Sequence, residues 1–455
     1  MLEMTTFRKN KIVLSDYDYL RDIENRLLMS QFSALDLEVL EEILYSSLTI
    51  SLKNLAKSLD LDKQQLLLIL QKLETSGLLT VNEDLIIVDK EMRKYYEFQI
   101  LKFDEDFKPG VEFFLGLLRK VPIQVLPSWY SIPRTSNNIF DSLIEKYFLT
   151  PQIFYRYLME LNFSEPVYNQ IIQDLFNSET YEVPSKFLIE KYHLERRQFD
   201  EIILQLEFSF VCCLGYKKID GLVQEIVSPF YEWRQYLLFL KGAMAPSISD
   251  KENIIRKNQS DFGFIENLSF FLNEARKQPL MLKKTKPGRF VLAKPFPNIS
   301  EEETHIALSK LSQLKLGDPV SGRFYALDSA NDWLDMKPEN RALFVYRHPL
   351  NRFEKEGLSG DLFSERCLRE AEKSISRVAS AGWIYFDEFM SGTTCCLNDT
   401  QAVMLKRTGK SWKYSLPSYS DEEKLFLKTV IFDYLFEVGI TAVGTHQGKD
   451  CFCVT

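Results

Sequence analysis

The sequence has few of the residues from which proteins build metal sites and disulfide frameworks. Its 455 residues include four histidines, far apart along the chain, and seven cysteines, an odd number with no Cys-x-x-Cys spacing. Zinc sites usually place such ligands at short, regular spacings. We therefore expect no bound metal, and we interpret the cysteines as reduced, small apolar residues of a cytoplasmic protein.

Long apolar runs and an excess of positive charge are also missing. No segment approaches the roughly 18–20 apolar residues of a transmembrane helix, and the N-terminus lacks the apolar core of a signal peptide. With 56 Lys and Arg against 64 Asp and Glu, the formal net charge is −8. Any contact with nucleic acid must therefore be a local patch, because a general phosphate-binding surface usually has excess cations.

Catalytic motifs are absent as well. A phosphate-binding loop requires Gly-x4-Gly-Lys-Ser/Thr, and the nearest match, Thr408–Ser411, has Met404 where the first glycine should stand. No serine has the G-x-S-x-G setting of a hydrolase nucleophile. Asp387 and Glu388 adjoin aromatics without a partner base, and we interpret them as a strand edge. We expect a protein that is not an enzyme and uses no cofactor.

What is present is enough apolar sequence for several cores. Hydrophobic residues make up 45% and aromatic residues 13% of a chain too long for one domain. Residues 165–229 read as an apolar helix, a short helix, a third amphipathic helix and two β-rich runs, which is the order of a winged helix-turn-helix. Residues 33–90 repeat that order, with Gly77 ending the third helix and a hairpin turning at Asn82–Asp84.

These patterns predict an α+β, predominantly helical fold of tandem winged helix-turn-helix modules. The polar connector Ala245–Asp261 is the best candidate for an interdomain linker. A natural domain usually extends past its last strand, so one interpretation of a sequence that ends at Thr455 is that it is a fragment of a longer protein. The expected regions are an N-terminal winged helix with its leading helix (1–95), a helical connector (96–164), a second winged helix with a trailing helix (165–245), a helical and β module with a basic hairpin (246–362) and a C-terminal winged-helix-like module (363–455).

The candidate nucleic-acid contacts lie on recognition helices and on one basic hairpin. In a winged helix the N-terminal residues of the third helix normally meet base edges. In the first module those residues begin at Lys63, and protein docking is the favoured alternative. In the second module Arg196 and Arg197 suit phosphate or guanine, but the acidic Glu195 and Asp200 leave protein docking equally open.

The basic hairpin is the strongest functional signal in the sequence. Between Asp261 and Asn298 there are seven Lys or Arg against three acids, inside a chain of net charge −8. Cations on a short hairpin can follow a phosphate backbone. The alternative is a solvated turn whose charges balance nearby acids. The predicted phosphate contacts are Lys283, Lys284, Lys286 and Arg289.

From about residue 129 to the end, the order of features resembles bacterial helicase-associated winged-helix proteins related to the N-terminal domain of XPB-type helicases. The resemblance rests on the winged helix at 132–228, on PLML followed by the basic hairpin, and on FYALDSANDWLDMKPENRALFVY. It also rests on GWIYFDEF and on the closing EEKLFLKTVIFDYLFEVGITAVG. It implies a non-catalytic module that works beside a helicase motor or on nucleic acid alone.

Three hypotheses about function follow. The first is a non-enzymatic winged-helix array that binds a nucleic acid, with DNA favoured over RNA, and/or a partner protein in transcription, repair or chromosome maintenance. The second is a protein–protein interaction scaffold without direct nucleic-acid binding, whose acidic surface faces basic proteins. The third is an accessory subunit of a separate helicase. The partner protein would be a helicase or a transcription component, and no membrane contact is expected.

Overall fold

The computed structural model describes residues 8–9, 11–104, 107–133, 138–219, 222–283, 289–297, 299–349, 358–409 and 411–455. The chain divides into two compact units. Unit 1 comprises Met1–Leu238 with Met404–Ser415, and unit 2 comprises Phe239–Val403 with Leu416–Thr455. Helices predominate and the sheets are small, which confirms the expected α+β, predominantly helical class.

Unit 1 is built mainly from the first half of the chain. Its helices are α1 (Tyr19–Met29), α2 (Ala34–Tyr45), α3 (Leu52–Ser58), α4 (Lys63–Glu74), α5 (Lys90–Ile100), α6 (Val111–Leu118), α7 (Leu126–Tyr130), α8 (Ile139–Leu143), α9 (Pro151–Glu160), α10 (Pro166–Asn177), α11 (Ser185–Tyr192), α12 (Arg196–Phe208) and the start of α13 (Tyr231–Gly242). Its strands up to this point are β1 (Arg8–Lys9), β2 (Thr49–Ser51), β3 (Leu79–Asn82), β4 (Leu85–Val88), β5 (Leu161–Asn162), β6 (Val183–Pro184), β7 (Cys213–Ile219) and β8 (Leu222–Ser228).

Unit 2 holds most of the second half. Its first elements are β9 (Ile255–Arg256), α14 (Gly263–Lys277), β10 (Leu280–Met281), α15 (Glu301–Gln313), β11 (Gly317–Val320), β12 (Arg323–Ala326), α16 (Ser329–Leu334), α17 (Pro338–Arg347), α18 (Glu365–Ser374), β13 (Ile384–Tyr385) and α19 (Phe386–Ser391). The hairpin of β14 (Leu405–Thr408) and β15 (Ser411–Tyr414) belongs to unit 1. Unit 2 ends with α20 (Asp421–Thr429), α21 (Leu435–Glu437), β16 (Thr441–His446) and β17 (Lys449–Val454).

One arrangement recurs in four segments of the chain. Each segment has a first helix, a short strand and a third helix followed by a hairpin, and the short strand pairs with the second strand of that hairpin. The sheet orders are β2-β4-β3 in segment A (34–88), β6-β8-β7 in segment B (166–228), β10-β12-β11 in segment C (263–326) and β13-β17-β16-β9 in segment D (365–454). A second helix follows the short strand in segments A, B and D, namely α3, α11 and α19.

Each segment packs around a cluster of buried apolar side chains of its own. In segment A, the spacing of Leu66, Leu70 and Leu73 places one face of α4 in that cluster. The helix ends before Gly77, whose φ of +74° is a conformation that glycine adopts without strain. The chain then forms the predicted hairpin, in which Asn82 pairs with Leu85, so the expected turn at Asn82–Asp84 is confirmed.

The connector Ala245–Asp261 differs from the expected interdomain linker. The boundary between the two units falls between Leu238 and Phe239, inside α13. Within the connector, β9 pairs with β16 of segment D, with Arg256 opposite Gly444. The backbone at the edge of β16 needs hydrogen-bond partners, and the polar connector supplies them despite its loop-like composition.

Two shorter motifs also differ from their interpretation in the sequence. Asp387 and Glu388 do not lie at a strand edge, because the strand ends at Tyr385 and both residues belong to α19. Phe386 and Phe389, three positions apart, are buried there, and that spacing favours a helix. Thr408–Ser411, the near match to a phosphate-binding loop, lies at the end of the β14–β15 hairpin.

Candidate functional site

The third helix of segment A begins with a capped turn at the surface. The Asp62 carboxylate accepts hydrogen bonds from two backbone N–H groups in the first turn of α4. Lys63 follows, and its Nζ lies 3.3 Å from a carboxylate oxygen of Asp84. Both side chains are well exposed, so the ion pair contributes little to stability. One turn further along the same helix, Leu68 is 68% exposed.

Arg196, predicted to contact phosphate or guanine, is held by two carboxylates of its own segment. Its Nε and Nη2 donate to Asp200 at 2.9 Å, and its Nη1 and Nη2 donate to Glu225 at 2.8 Å. These bonds use four of the five N–H groups of the guanidinium. The neighbouring Arg197 is about half exposed, and its Nε lies 3.5 Å from Glu201.

The remainder of α12 is covered by α1. The Glu207 carboxylate of α12 accepts a hydrogen bond from Nη2 of Arg26 in α1. The ring of Phe208 packs edge-on against Tyr17, which lies just before α1. Phe199 and Ile203 meanwhile face the core of segment B. From Phe199 to Phe208 most side chains of α12 are therefore buried, on two sides of the helix, while Arg197 and Gln198 in its first turn are exposed. Sequence periodicity revealed only the core-facing side.

Five ionisable side chains lie together where α1 meets α12. Asp22 contacts Lys120 at 2.8 Å and Arg26 at 3.9 Å, while Glu207 contacts Arg26 at 2.5 Å and Lys102 at 3.9 Å. All five are at most 14% exposed. The cluster joins α1 and α12 to the turns that follow α5 and α6.

The electrostatics of this cluster follow from burial and from its two carboxylates. Burial acts to raise the pKa of Asp22, but Lys120 and Arg26 outweigh it and hold that pKa below its ordinary value. For Glu207, Arg26 and Lys102 likewise outweigh burial and lower the pKa. Burial lowers the pKa of Lys120 to about 8 despite the attraction of Asp22. Both carboxylates are therefore charged near neutral pH, which fits a structural cluster.

The basic hairpin predicted at 283–289 is described only at its two ends. Lys284 and Lys286 lie outside the described residues. Nζ of Lys283 lies 3.6 Å from Glu301, and Nη2 of Arg289 lies 3.8 Å from Glu302. All four of these side chains are about half exposed or more, so both pairs are weak. The pairing favours the alternative of charges balanced by nearby acids, and phosphate binding by the four cations stays a prediction.

The third helices of segments C and D begin with three consecutive acids. Ser300 and Ser420 cap these helices, and each forms a capping box with the third residue of its first turn. The acids stabilise the helix through its dipole, but they repel a phosphate backbone. They are Glu301, Glu302 and Glu303 in α15 and Asp421, Glu422 and Glu423 in α20.

A groove of about 800 Å³ lies beside α15 within unit 2. Its lining includes the ion pair between Lys310 and Glu437, whose Nζ and carboxylate oxygen are 2.7 Å apart. Burial raises the pKa of Glu437 even though Lys310 opposes the shift. Other side chains that line the groove are Lys257, Phe264, Glu302, Glu303, Ile306, Asp433 and Phe436.

Two surface features of the structure were not predicted from the sequence. One is the exposed apolar set on segment A, which comprises Leu68 on α4 and Leu85 and Ile87 on β4. The other is the β14–β15 hairpin, where Lys406 and Lys413 stand opposite each other. A signal for the hairpin was present, because the sequence contains no Asp or Glu from 400 to 420. The sequence contains no signal for the exposed apolar set, since an apolar residue in a regular pattern is normally assigned to the core.

Among the described residues, no group of three or more His, Cys, Asp or Glu side chains is placed to hold a metal ion. In the same part of the chain, no helix combines the length and the apolar character needed to cross a membrane. Comparison with family models, with curated proteins and with solved structures gives no match.

Proposed function

We propose that the chain is a non-enzymatic array of winged-helix modules whose main task is to dock partner proteins. The partner is a protein surface that combines cationic and apolar side chains. Segments A, B, C and D are the modules, since a short strand paired to the far strand of a terminal hairpin is the winged-helix order. In segment C, no helix occurs between β10 and α15 in the described residues, so this module is a reduced version.

One observation carries the proposal. Where the first turn of a described third helix bears a cation, that cation is paired with a carboxylate of its own segment. The other first turns carry only acids. Lys63 pairs with Asp84, and Arg196 and Arg197 pair with acids of segment B. A winged helix that reads DNA places these turns against phosphates and base edges, where carboxylates are unfavourable.

The exposed apolar residues of segment A indicate contact with protein. Leu68 lies on the outer face of α4, the face that would otherwise meet DNA. Leu85 and Ile87 lie on the solvent side of the sheet, where Ile87 is flanked by Thr49 and Thr80 on the neighbouring strands. Apolar side chains at the centre of an interface lose contact with water on binding, whereas beside a phosphate backbone they gain little.

The setting implied by the resemblance is part of the proposal. A chain similar to helicase-associated winged-helix proteins works beside an ATPase motor that another protein supplies. A helicase or transcription component with a basic docking surface has the charge that complements the acidic first turns of α15 and α20.

Site-specific photo-crosslinking tests the proposal. A photoreactive amino acid replaces Leu68 in the full chain, which is expressed in its source cells and irradiated. Met159 on α9, which is 63% exposed against 68% for Leu68, serves as the matched control position. We expect adducts at position 68 that resist nuclease and are destroyed by protease, and fewer at position 159.

The partner identified in this way is then purified and its binding to the full chain is measured. The substitution Leu68→Glu should weaken binding at least about tenfold, because it places a charge in the apolar centre of the interface. Met159→Glu should change the affinity less than about twofold. Nuclease-sensitive adducts at position 68, or equal effects of the two substitutions, would overturn the proposal.

A further inference from the structure

The β14–β15 hairpin has two faces with different surroundings. Its cross-strand pairs are Leu405 with Tyr414, Lys406 with Lys413, Arg407 with Trp412 and Thr408 with Ser411. Side chains of successive pairs point to opposite sides of a two-stranded sheet. The first and third pairs therefore share one face, and the second and fourth pairs share the other.

The first face anchors the hairpin to the rest of unit 1. The Leu405 N–H donates to the carbonyl of Leu149 at 2.8 Å, and the Tyr414 hydroxyl donates to the carbonyl of Phe148 at 3.0 Å. Leu405 and Tyr414 are both buried, and the ring of Tyr414 packs against Trp233. The hairpin is therefore a positioned element of unit 1.

Nearer the tip of the hairpin, the same face carries Arg407, whose charge is balanced by Glu112 of α6. The indole N–H of Trp412 donates to Glu112 at 3.2 Å, and the guanidinium of Arg407 lies 3.9 Å from the same carboxylate. Arg407 also lies over the Trp412 ring, 5.9 Å from its centroid. The acid of α6 is thus engaged on this face and is turned away from the two lysines.

The second face presents two lysines without counter-charges. Lys406 and Lys413 are exposed and directly opposite, and among the described residues neither forms an ion pair. Like charges in directly opposed positions destabilise a strand pair. Thr408 and Ser411 belong to the same face, where the Ser411 hydroxyl donates to the Thr408 carbonyl at 3.2 Å. Nothing in the packing of the hairpin requires this pair of charges.

The sequence around the hairpin is also rich in positive charge. From 400 to 420 there are four Lys or Arg and no Asp or Glu, although the chain as a whole carries −8. Lys410, one of the four, lies outside the described residues. Elsewhere the surface cations named above that the structure describes have carboxylate neighbours. A cationic face that no described carboxylate neutralises, with a hydroxyl donor beside its two lysines, is suited to successive phosphate groups.

We propose that the outward face of the β14–β15 hairpin, formed by Lys406, Lys413, Thr408 and Ser411, binds the phosphate backbone of a nucleic acid. Lysine ammonium groups act as point charges towards phosphate, and the Thr408 hydroxyl donates a hydrogen bond to a phosphate oxygen. Contacts of this kind position a nucleic acid without reading its sequence. This site is separate from the six cations predicted from the sequence, and it does not depend on protein docking by segment A.

The test measures binding of the full chain to fluorescein-labelled probes of mixed sequence, a DNA duplex and a single-stranded RNA, by anisotropy between 50 and 200 mM salt. Each lysine–phosphate contact contributes about one unit to the slope of log affinity against log salt. The double variant Lys406→Ala/Lys413→Ala should therefore lower the slope by about two units and weaken binding at low salt. We expect its thermal stability to be unchanged or slightly higher, since a like-charge pair is removed.

Lys53→Ala/Lys57→Ala is the matched control. Both residues are exposed lysines on α3, so the variant has the same change in net charge and should leave the slope unchanged. Anionic phospholipid vesicles and poly-glutamate are tested as competitors. The proposal is overturned if the wild-type chain binds neither probe at 50 mM salt, or if the two double variants behave alike. Equal competition by vesicles or poly-glutamate also overturns it, because the face would then be a general anion binder.

Discussion

The substitution Glu207→Gln tests whether α1 is fixed to α12 by buried charge. The replacement keeps the size of the side chain, and its amide oxygen can still accept the hydrogen bond that Leu214 N–H donates at 2.9 Å. What it removes is the negative charge beside Arg26 and Lys102. Asp22 is then the one remaining carboxylate for three buried cations in the cluster.

The expected loss of folding free energy follows from the burial of the ion pair. Removing one partner of a buried ion pair costs about 3–5 kcal/mol, because the other charge stays in a poorly solvated site. One feature favours the lower limit, about 3 kcal/mol: Lys102 can lose its proton, since burial already lowers its pKa. The amide has one oxygen in place of two, so while that oxygen accepts from Leu214 the NH2 group faces Arg26 and the hydrogen bond from Arg26 is lost. A loss of this size is a large share of a typical folding free energy of roughly 5–15 kcal/mol.

Hydrogen–deuterium exchange with peptide resolution is the suitable assay, because it reports on α1 and α12 separately from unit 2. Slowly exchanging amides of α1 should exchange roughly a hundredfold faster in the variant. Glu201→Gln is the matched control on the same helix. Its partner Arg197 is about half exposed, so the change should cost less than about 1 kcal/mol.

The effect must also depend on pH in one direction. The pKa of Glu207 is lowered in the folded protein, so its stabilising contribution is present above the ordinary carboxyl pKa and is lost as pH falls through the folded value. The difference between wild type and variant should therefore shrink in acid. A loss below about 1 kcal/mol at neutral pH, or one equal to that of Glu201→Gln, would show that buried charge does not fix α1 to α12.

Two further predictions concern single contacts. Burial raises the pKa of Glu232 to about 7 from 4.5, so the folded state retains a proton that the unfolded chain releases. The free energy of unfolding of the protein should therefore fall by up to about 3 kcal/mol as pH rises from 4.5 to about 7. Urea unfolding at several pH values measures this fall, and it should be smaller in the variant Glu232→Gln. At Gly444, an added Cβ would lie 2.6 Å from the carbonyl oxygen of Ile255 in β9. Gly444→Ala should accelerate amide exchange in β9 and cost about 1–3 kcal/mol, whereas Gly360→Ala, where a Cβ meets nothing within 4 Å, should do neither.

The local elements could be predicted because their causes are local in sequence. The β3–β4 hairpin follows from Gly77 and from the polar turn before Leu85. The β16–β17 hairpin follows in the same way from Gln447 and Gly448, which have positive φ at its tip. Turn residues and apolar spacing act within a few positions, and a single sequence displays them directly.

The short strands and the linker were harder to predict for a physical reason. A strand of two or three residues, such as β6 or β13, is too short to show alternation, and it is stabilised by pairing with a strand far along the chain. β9 has the same property, and its polar composition is that of a loop. Pairing of this kind depends on an edge that exists only after the rest of the sheet has folded.

The predicted nucleic-acid contact at Arg196 has a different environment in the structure for a related reason. Arg196 at the start of α12 appears in the sequence as a free cation, but folding brings Glu225 from β8 to within hydrogen-bond distance of it. Asp22 and Arg26, four residues apart, have the spacing of a solvent-exposed helical pair, yet both are buried. Charged residues are usually assigned to the surface, so the sequence pattern could not reveal a second buried face of α12.

Hydrophobic spacing and turn residues act within short windows, so the sequence alone predicts the α+β, predominantly helical class and the third helices and hairpins of segments A and B. Which cations have a carboxylate neighbour depends on the tertiary structure. Folding pairs Arg196 with acids of its own segment and brings Glu301 and Glu302 close to Lys283 and Arg289. Lys406 and Lys413 form no ion pair with any residue that the structure describes. Charge neutralisation depends on distances between residues remote in sequence, and those distances are fixed only when the chain folds.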